Sequence, residues 1–275
     1  MRGLVMSGGG SKCAAFLGEI KAAVEEGLEF DLYSGTSGGG LISAELSMER
    51  TLAAGLARAV KTWGSVKGDK DIYKNWFFGP VQGLLQKGDK CSKYNSAPLW
   101  DLIERLFDPS KVVKKLRIGA VGFNGGYRVW DESSPPDELM MAVKATSAFP
   151  LEFRPIKWGG DLWTDAGITE VVPLQAAIDA GCTEIYVMHA SPPGLQPMKN
   201  VPKTAVFGQV KRFLDLMSVE IKRDDVRITP PDGVVIHHIQ PSEPFHDDSL
   251  NFSPKLMEAT IRKGYELAKS VLGSS

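Results

Sequence analysis

Gly35-Thr36-Ser37-Gly38-Gly39 follows the short apolar run Phe30-Asp31-Leu32-Tyr33-Ser34 and precedes a helix-like run from Leu41 to Met48. A serine with glycine two residues to either side, at a strand-to-helix turn, has the G-x-S-x-G spacing of a nucleophile elbow. The spacing has a steric reason: the serine takes a cramped backbone conformation that only small neighbours at those two positions allow. The hydroxyl then sits at the start of a helix, where unpaired amides and the helix dipole favour developing negative charge. Ser37 is the candidate nucleophile; a solvated serine in a Gly-rich turn is the simpler reading of the same letters.

Upstream, Gly3 to Met6 reads as a short buried strand ending at Ser7-Gly8-Gly9-Gly10-Ser11-Lys12. From Cys13 onward, Ala14, Ala15, Leu17, Ile20, Ala23 and Val24 give an amphipathic helix that stops near Gly27. Strand, Gly-rich loop, helix, strand, elbow, helix is a βαβα opening, which places the chain in the α/β class with a mostly parallel, helix-covered sheet. The loop fails both nucleotide fingerprints, since Cys13 stands where G-x-G-x-x-G needs glycine and Lys12 lies between Ser11 and Cys13 rather than in Gly-Lys-Ser/Thr. What remains is a row of backbone amides at a helix N-terminus, the chemistry of an anion or oxyanion site.

Downstream, helical stretches Leu52 to Trp63 and Ser96 to Phe107 flank an irregular piece, Asn75 to Leu85, in which Trp76, Phe77 and Phe78 precede Gly79-Pro80. Ordinary core under a long loop is the favoured reading of these aromatics, and a mobile lid that touches lipid is the other. Ile118 to Phe123 and Tyr127 to Trp130 around Asn124-Gly125-Gly126 form the clearest hairpin. A helix from Pro135-Pro136 ends in the small-residue stretch Ala145-Thr146-Ser147-Ala148-Phe149-Pro150, and Trp158 to Thr164 reads as a second hairpin leading into a turn at Asp165. A helix ending at Gly181, a strand Glu184 to His189, a helix Lys203 to Asp225, a strand Val234 to Ile239 and a helix Pro254 to Leu272 complete the chain. With no repeat or low-complexity linker, residues 1–275 are expected to form one domain, with 51–107 as a helical or lid insertion.

Composition narrows the function classes. Basic and acidic residues are balanced at 32 and 33 with no block of like charge, so nucleic-acid binding has no electrostatic support. Three widely spaced cysteines, Cys13, Cys91 and Cys182, make neither a disulfide framework nor a zinc site, and no cofactor or metal is expected. The N-terminus reaches glycines before a signal peptide develops and no run spans a bilayer, so the expectation is a cytoplasmic protein that meets lipid, if at all, peripherally. Oligomeric state is left open.

Together, Gly8-Gly9-Gly10-Ser11-Lys12, Gly35-Thr36-Ser37-Gly38-Gly39, Ala145 to Pro150 and Asp165-Ala166-Gly167 resemble the patatin-like phospholipase family, in order, over residues 3 to about 190. The resemblance implies a three-layer α/β/α hydrolase with a Ser-Asp dyad that cleaves acyl esters of lipids. Ser37 looks like its nucleophile, Asp165 like its base, and Gly8, Gly9 and Gly10 like its oxyanion loop. Two departures are Cys13, where the family usually has glycine after the Ser/Lys pair, and Thr169 to Pro173, which lacks the usual Asn-Pro pairing. The chemistry stands on its own: a carboxylate whose pKa is raised by burial can take a serine proton, and losing one oxyanion donor typically costs about 2.7 to 4 kcal/mol. The implied activity is a phospholipase A type acyl hydrolase, with phospholipid or another acyl-ester lipid as substrate. The alternatives are a non-catalytic lipid-binding or interaction module and a soluble acyl esterase or thioesterase. A Ser-His-Asp triad would need His189, His237, His238 or His246, which read as structural or surface histidines. For Asp165 the simpler reading is a turn-forming or capping carboxylate.

Overall fold

The computed structural model of the protein describes residues 1–194 and 206–273. Its strands are β1 (Arg2–Met6), β2 (Leu32–Gly35), β3 (Lys115–Gly122), β4 (Gly126–Asp131), β5 (Ile156–Trp158), β6 (Asp161–Asp165), β7 (Glu184–Met188) and β8 (Val235–Ile239). They form one sheet in the order β5-β6-β3-β2-β1-β7-β8, with β4 also on β3. The run β8-β7-β1-β2-β3 is parallel, while β3-β4, β3-β6 and β5-β6 are antiparallel.

Strand residues alternate between faces, and each face has its own apolar cover. Leu4, Met6, Tyr33, Ile118 and Met188 point into the larger core, packed by α1 (Ala14–Glu25), α2 (Gly38–Ser47), α3 (Leu52–Ser65), α5 (Ala97–Leu106), α6 (Pro136–Ala145) and α9 (Pro254–Leu272). Val5, Leu32, Ile185 and Val187 point the other way, onto α7 (Leu174–Asp179) and Ile221 of α8 (Val206–Asp225). The result is a three-layer α/β/α architecture. The remaining helix, α4 (Pro80–Leu84), lies apart from both cores.

One detail of the sheet positions everything that follows. β4 occupies one edge of β3 from Arg117 to Gly122, so both other partners of β3 must use the opposite edge. β2 takes it as far as Gly35, opposite Ile118, and β6 takes it from Asp165, opposite Ala120. β2 and β6 therefore run toward each other along one edge and stop with their ends nearly touching.

The elements agree with the sequence pattern to within a few residues, with three differences. α2 begins at Gly38, directly after Ser37, because Gly38, Gly39 and Gly40 all enter the helix. The aromatic piece is not core: Phe77 is 89 % and Phe78 77 % exposed, while Trp76 is held by an indole N–H donated to the Ser92 carbonyl at 3.0 Å. The helix expected from Lys203 is seen from Val206 onward, residues 203–205 lying outside the described residues.

Packing of α9 onto α1 is unusually close. A Cβ on Gly18 would lie 1.9 Å from the Ile261 carbonyl oxygen, and one on Gly264 2.1 Å from that of Ala15. Both obstacles are backbone, which cannot swing aside. Gly18→Val or Gly264→Val is therefore expected to destabilise the protein by at least about 1–3 kcal/mol, the usual scale for overpacking, read as a lower urea midpoint.

Candidate active site

Ser37 has φ 56 and ψ −128, and it and Leu151 are the two non-glycine residues with positive φ among the described residues. Such a conformation costs on the order of 1–3 kcal/mol and persists only where surroundings enforce it. They do so through the two flanking glycines. A Cβ at Gly35 would fall 2.4 Å from the Gly39 carbonyl oxygen, and one at Gly39 2.5 Å from that of Met6. The Ser37 amide donates to Thr146 Oγ1 at 3.1 Å, which ties the elbow to the end of α6.

Asp165 ends β6 and is fully buried. Its Oδ1 accepts the Gly167 amide at 2.7 Å, whereas Oδ2 is enclosed and makes no hydrogen bond of ordinary length and angle. Burial drives its pKa up to about 7, opposed by the Gly167 amide and then by the Ser37 hydroxyl. The hydroxyl thus lies near enough to stabilise the carboxylate without forming a well-aligned bond to it. That is common before substrate arrives. The structure brings Ser37 and Asp165 together, as the meeting of β2 and β6 requires.

The glycine loop follows β1 and lies beside the elbow: a Cβ on Gly8 would be 3.4 Å from Ser37 Cβ, and one on Gly38 2.9 Å from the Gly10 carbonyl oxygen. Gly10 needs its freedom, with φ +58 and the Ser249 carbonyl 2.3 Å from where its Cβ would be. The three amides are not equivalent. That of Gly8 donates to the Val171 carbonyl at 3.0 Å, while among the described residues those of Gly9, Gly10 and Gly38 meet no acceptor. Gly38 opens α2, where backbone amides lack helical partners, and sequence reading had not singled it out.

Other supports were also invisible in the sequence. Asp225 of α8 accepts the amides of Val171 and Val172 at 2.7 and 2.8 Å, and so holds the carbonyl that fixes Gly8. Thr36 and Ser34 donate to the carbonyls of Glu170 and Pro173, so the segment lacking the family's Asn-Pro anchors the elbow strand. Cys13 is buried and its thiol donates to the Ser7 carbonyl at 3.6 Å.

None of the four histidines is a neighbour that shifts Asp165. His189 Nε2 is 3.0 Å from His238 Nδ1, His237 stacks on Tyr186, and His246 lies near Lys12 and Asp248. An apolar cavity opens beside Ser37 between α2, α3, α5 and α6, lined by Leu41, Ala44, Leu99, Ile103, Phe107 and Val143 among others. It encloses about 780 Å³ of empty space, open solvent at its mouth included.

A family model described as patatin-like phospholipase matches residues 4–178, a span that holds the loop, the elbow and Asp165. The chain belongs to the patatin-like phospholipase family. Membership is of a family of lipid hydrolases, in broad terms serine hydrolases. No match is found among curated proteins. Among solved structures, this patatin-like chain is similar in fold to VipD from Legionella pneumophila, at 15 % identity and a TM-score of 0.50 over 99 % of this chain and 67 % of that one. ExoU from Pseudomonas aeruginosa, solved with SpcU, gives 15 % and 0.40 over 100 % of this chain. Human GIVD cytosolic phospholipase A2 gives 10 % and 0.44, also over 100 %. The chain spans 52 % of the ExoU chain and 60 % of the human one.

The raised pKa of Asp165 sets the sign of a stability effect. A carboxyl that is harder to ionise when folded contributes stability that is whole below about pH 4 and is lost as pH rises through about 7. Asp165→Asn keeps an acceptor for the Gly167 amide. It is expected to be more stable than wild type at pH 8, by up to about 4 kcal/mol at about 1.36 kcal/mol per pH unit, and to lose that advantage near pH 4 in urea melts.

Proposed function

We propose that the protein is a phospholipase A type acyl hydrolase that cleaves fatty-acyl esters of phospholipids through an acyl-serine intermediate. The observation that carries this reading is a strained serine whose hydroxyl lies beside a fully buried carboxyl group, its Oδ2 enclosed and without a well-aligned hydrogen bond. Asp165 takes the proton of Ser37 as Oγ attacks the ester carbonyl carbon. The carbonyl oxygen becomes an oxyanion in the loop of Gly8, Gly9 and Gly10. The amides of Gly9 and Gly10, joined by that of Gly38, are donors without an acceptor among the described residues, and Gly8 holds the loop through Val171. Collapse breaks the ester C–O bond, and the departing lysophospholipid oxygen receives the proton held by Asp165. Water, deprotonated by Asp165, then attacks the acyl-serine; the second collapse breaks the bond between the acyl carbon and Ser37 Oγ, which takes back the proton from Asp165, and the fatty acid is released. Burial that brings the carboxyl pKa to about 7 suits it to both directions of transfer.

The cavity supplies the substrate side of the reading, since a mostly apolar slot opening beside a nucleophile suits an acyl chain. Membrane contact is part of the proposal. Phe77, Phe78, Val81 and Leu85 are exposed together, on a segment that leaves the cavity wall at Ile72. The exposed lysines Lys67, Lys70, Lys74, Lys87 and Lys90 surround them in sequence. Apolar side chains rimmed by cations fit a peripheral landing on anionic lipid. Among the described residues no helix is long and apolar enough to cross a membrane.

A fluorophosphonate probe is expected to label wild type at Ser37 and not Ser37→Ala. On mixed phospholipid vesicles, Ser37→Ala and Asp165→Asn should each lose at least about a thousand-fold in kcat/KM, and unchanged fatty-acid release by either would overturn the dyad. In wild type, kcat/KM should rise with pH through about 7, because protonated Asp165 cannot accept the serine proton; a profile flat from pH 5 to 9 would contradict it. Replacing Phe77 and Phe78 by serine should weaken vesicle hydrolysis about ten-fold or more while sparing a short soluble ester, and equal losses would remove the lipid-landing role.

A further inference from the structure

Glu45 breaks the pattern of the cavity wall. Gly38, Leu41, Ala44 and Glu45 line it from one stripe of α2, at the three- and four-residue spacing of a single helix face, and all but the last are apolar or small. The carboxyl side chain is only 6 % exposed, and its Oε2 is enclosed without a hydrogen bond. Beside it, Thr62 of α3 also lines the cavity and its hydroxyl lies against this carboxyl, while the cation that acts on it, Arg58, is engaged by Glu49 at 2.8 Å. An acid with an orphaned oxygen in a mostly apolar slot is costly to keep if the slot holds only hydrocarbon.

We propose that Glu45 and Thr62 form a polar anchor deep in the acyl cavity, and that the acyl chain it selects carries a mid-chain hydroxyl group. The position follows from the helix. At about 1.5 Å per residue, the eight residues from Ser37 to Glu45 span about 12 Å, the reach of roughly nine or ten methylenes beyond the ester carbonyl. A hydroxyl is the fitting group because it both donates and accepts, so it satisfies Glu45 as carboxylate or as acid, whereas a second carboxylate would be repelled. An unsubstituted chain leaves Oε2 as it stands now. The assignment rests on the proposed acyl-hydrolase function of the same cavity and narrows its substrate class to oxygenated fatty-acyl lipids.

The test separates the two. Ser37→Ala, which cannot turn over, is titrated calorimetrically with 10-hydroxyoctadecanoate, 2-hydroxyoctadecanoate and octadecanoate. Wild type is assayed on vesicles of phosphatidylcholines carrying the same acyl groups. The 10-hydroxy chain is expected to bind, and to be cleaved in competition, about three- to ten-fold better than the plain chain, the worth of one hydrogen bond, with no such gain for the 2-hydroxy chain. Glu45→Leu should invert that ratio and Glu45→Gln should keep most of it. Thr62→Val, at a half-buried position, should reduce it, and gives the same comparison if Glu45→Leu does not fold. Equal affinities for all three chains, or a ratio indifferent to both Glu45→Leu and Thr62→Val, would overturn the anchor while leaving hydrolysis intact. Selective binding without any ester cleavage or Ser37 labelling would support the anchor and sink the hydrolase reading.

Discussion

Two strands share one edge of β3, and the site exists because neither of them extends further. β2 stops at Gly35 and β6 at Asp165, each because its next residues turn away, the first into the elbow and the second into a short turn closed by the Gly167 amide. The two strand ends meet opposite Ile118 and Ala120 of β3, so the residues that follow them lie side by side. A hydroxyl and a carboxyl from distant parts of the chain are thereby placed side by side inside a low-dielectric layer. Both strand ends are paired into the sheet, Gly35 with Ile118 and Asp165 with Ala120.

Burial and reactivity have the same cause here. The enclosure that leaves Asp165 Oδ2 without a partner also raises its pKa to about 7, which makes it a competent proton acceptor near neutrality. The glycine loop shows the same economy at the level of backbone. One amide anchors the loop to Val171, and the next two meet no acceptor among the described residues. A carboxylate on α8 in turn fixes Val171, so the second layer of helices reaches the site through Asp225.

Much of this was legible in the sequence because it is local. The elbow, the glycine loop, the Gly159-Gly160 turn and the periodic helices each announce themselves within a few residues, through steric needs that glycine meets or through a 3.6-residue stripe. What was not legible depends on distant partners. That the Gly8 amide is spent on Val171, that Thr146 receives the Ser37 amide, and that Asp225 clamps residues 171 and 172 all involve contacts more than fifty residues apart. The aromatics at 77 and 78 misled for another reason: composition makes large apolar residues core by default, and only the path of the chain shows Phe77 and Phe78 standing outside it.

Because the backbone at Ser37 is left-handed, alanine and glycine at that position would be different experiments. Alanine keeps a β-carbon and therefore the torsional burden, so it subtracts the alcohol alone. Glycine discards both and should yield an inert protein that is harder to unfold than the native one. The difference in melting between the two replacements would weigh how much of the fold's reserve is committed to holding one alcohol in place.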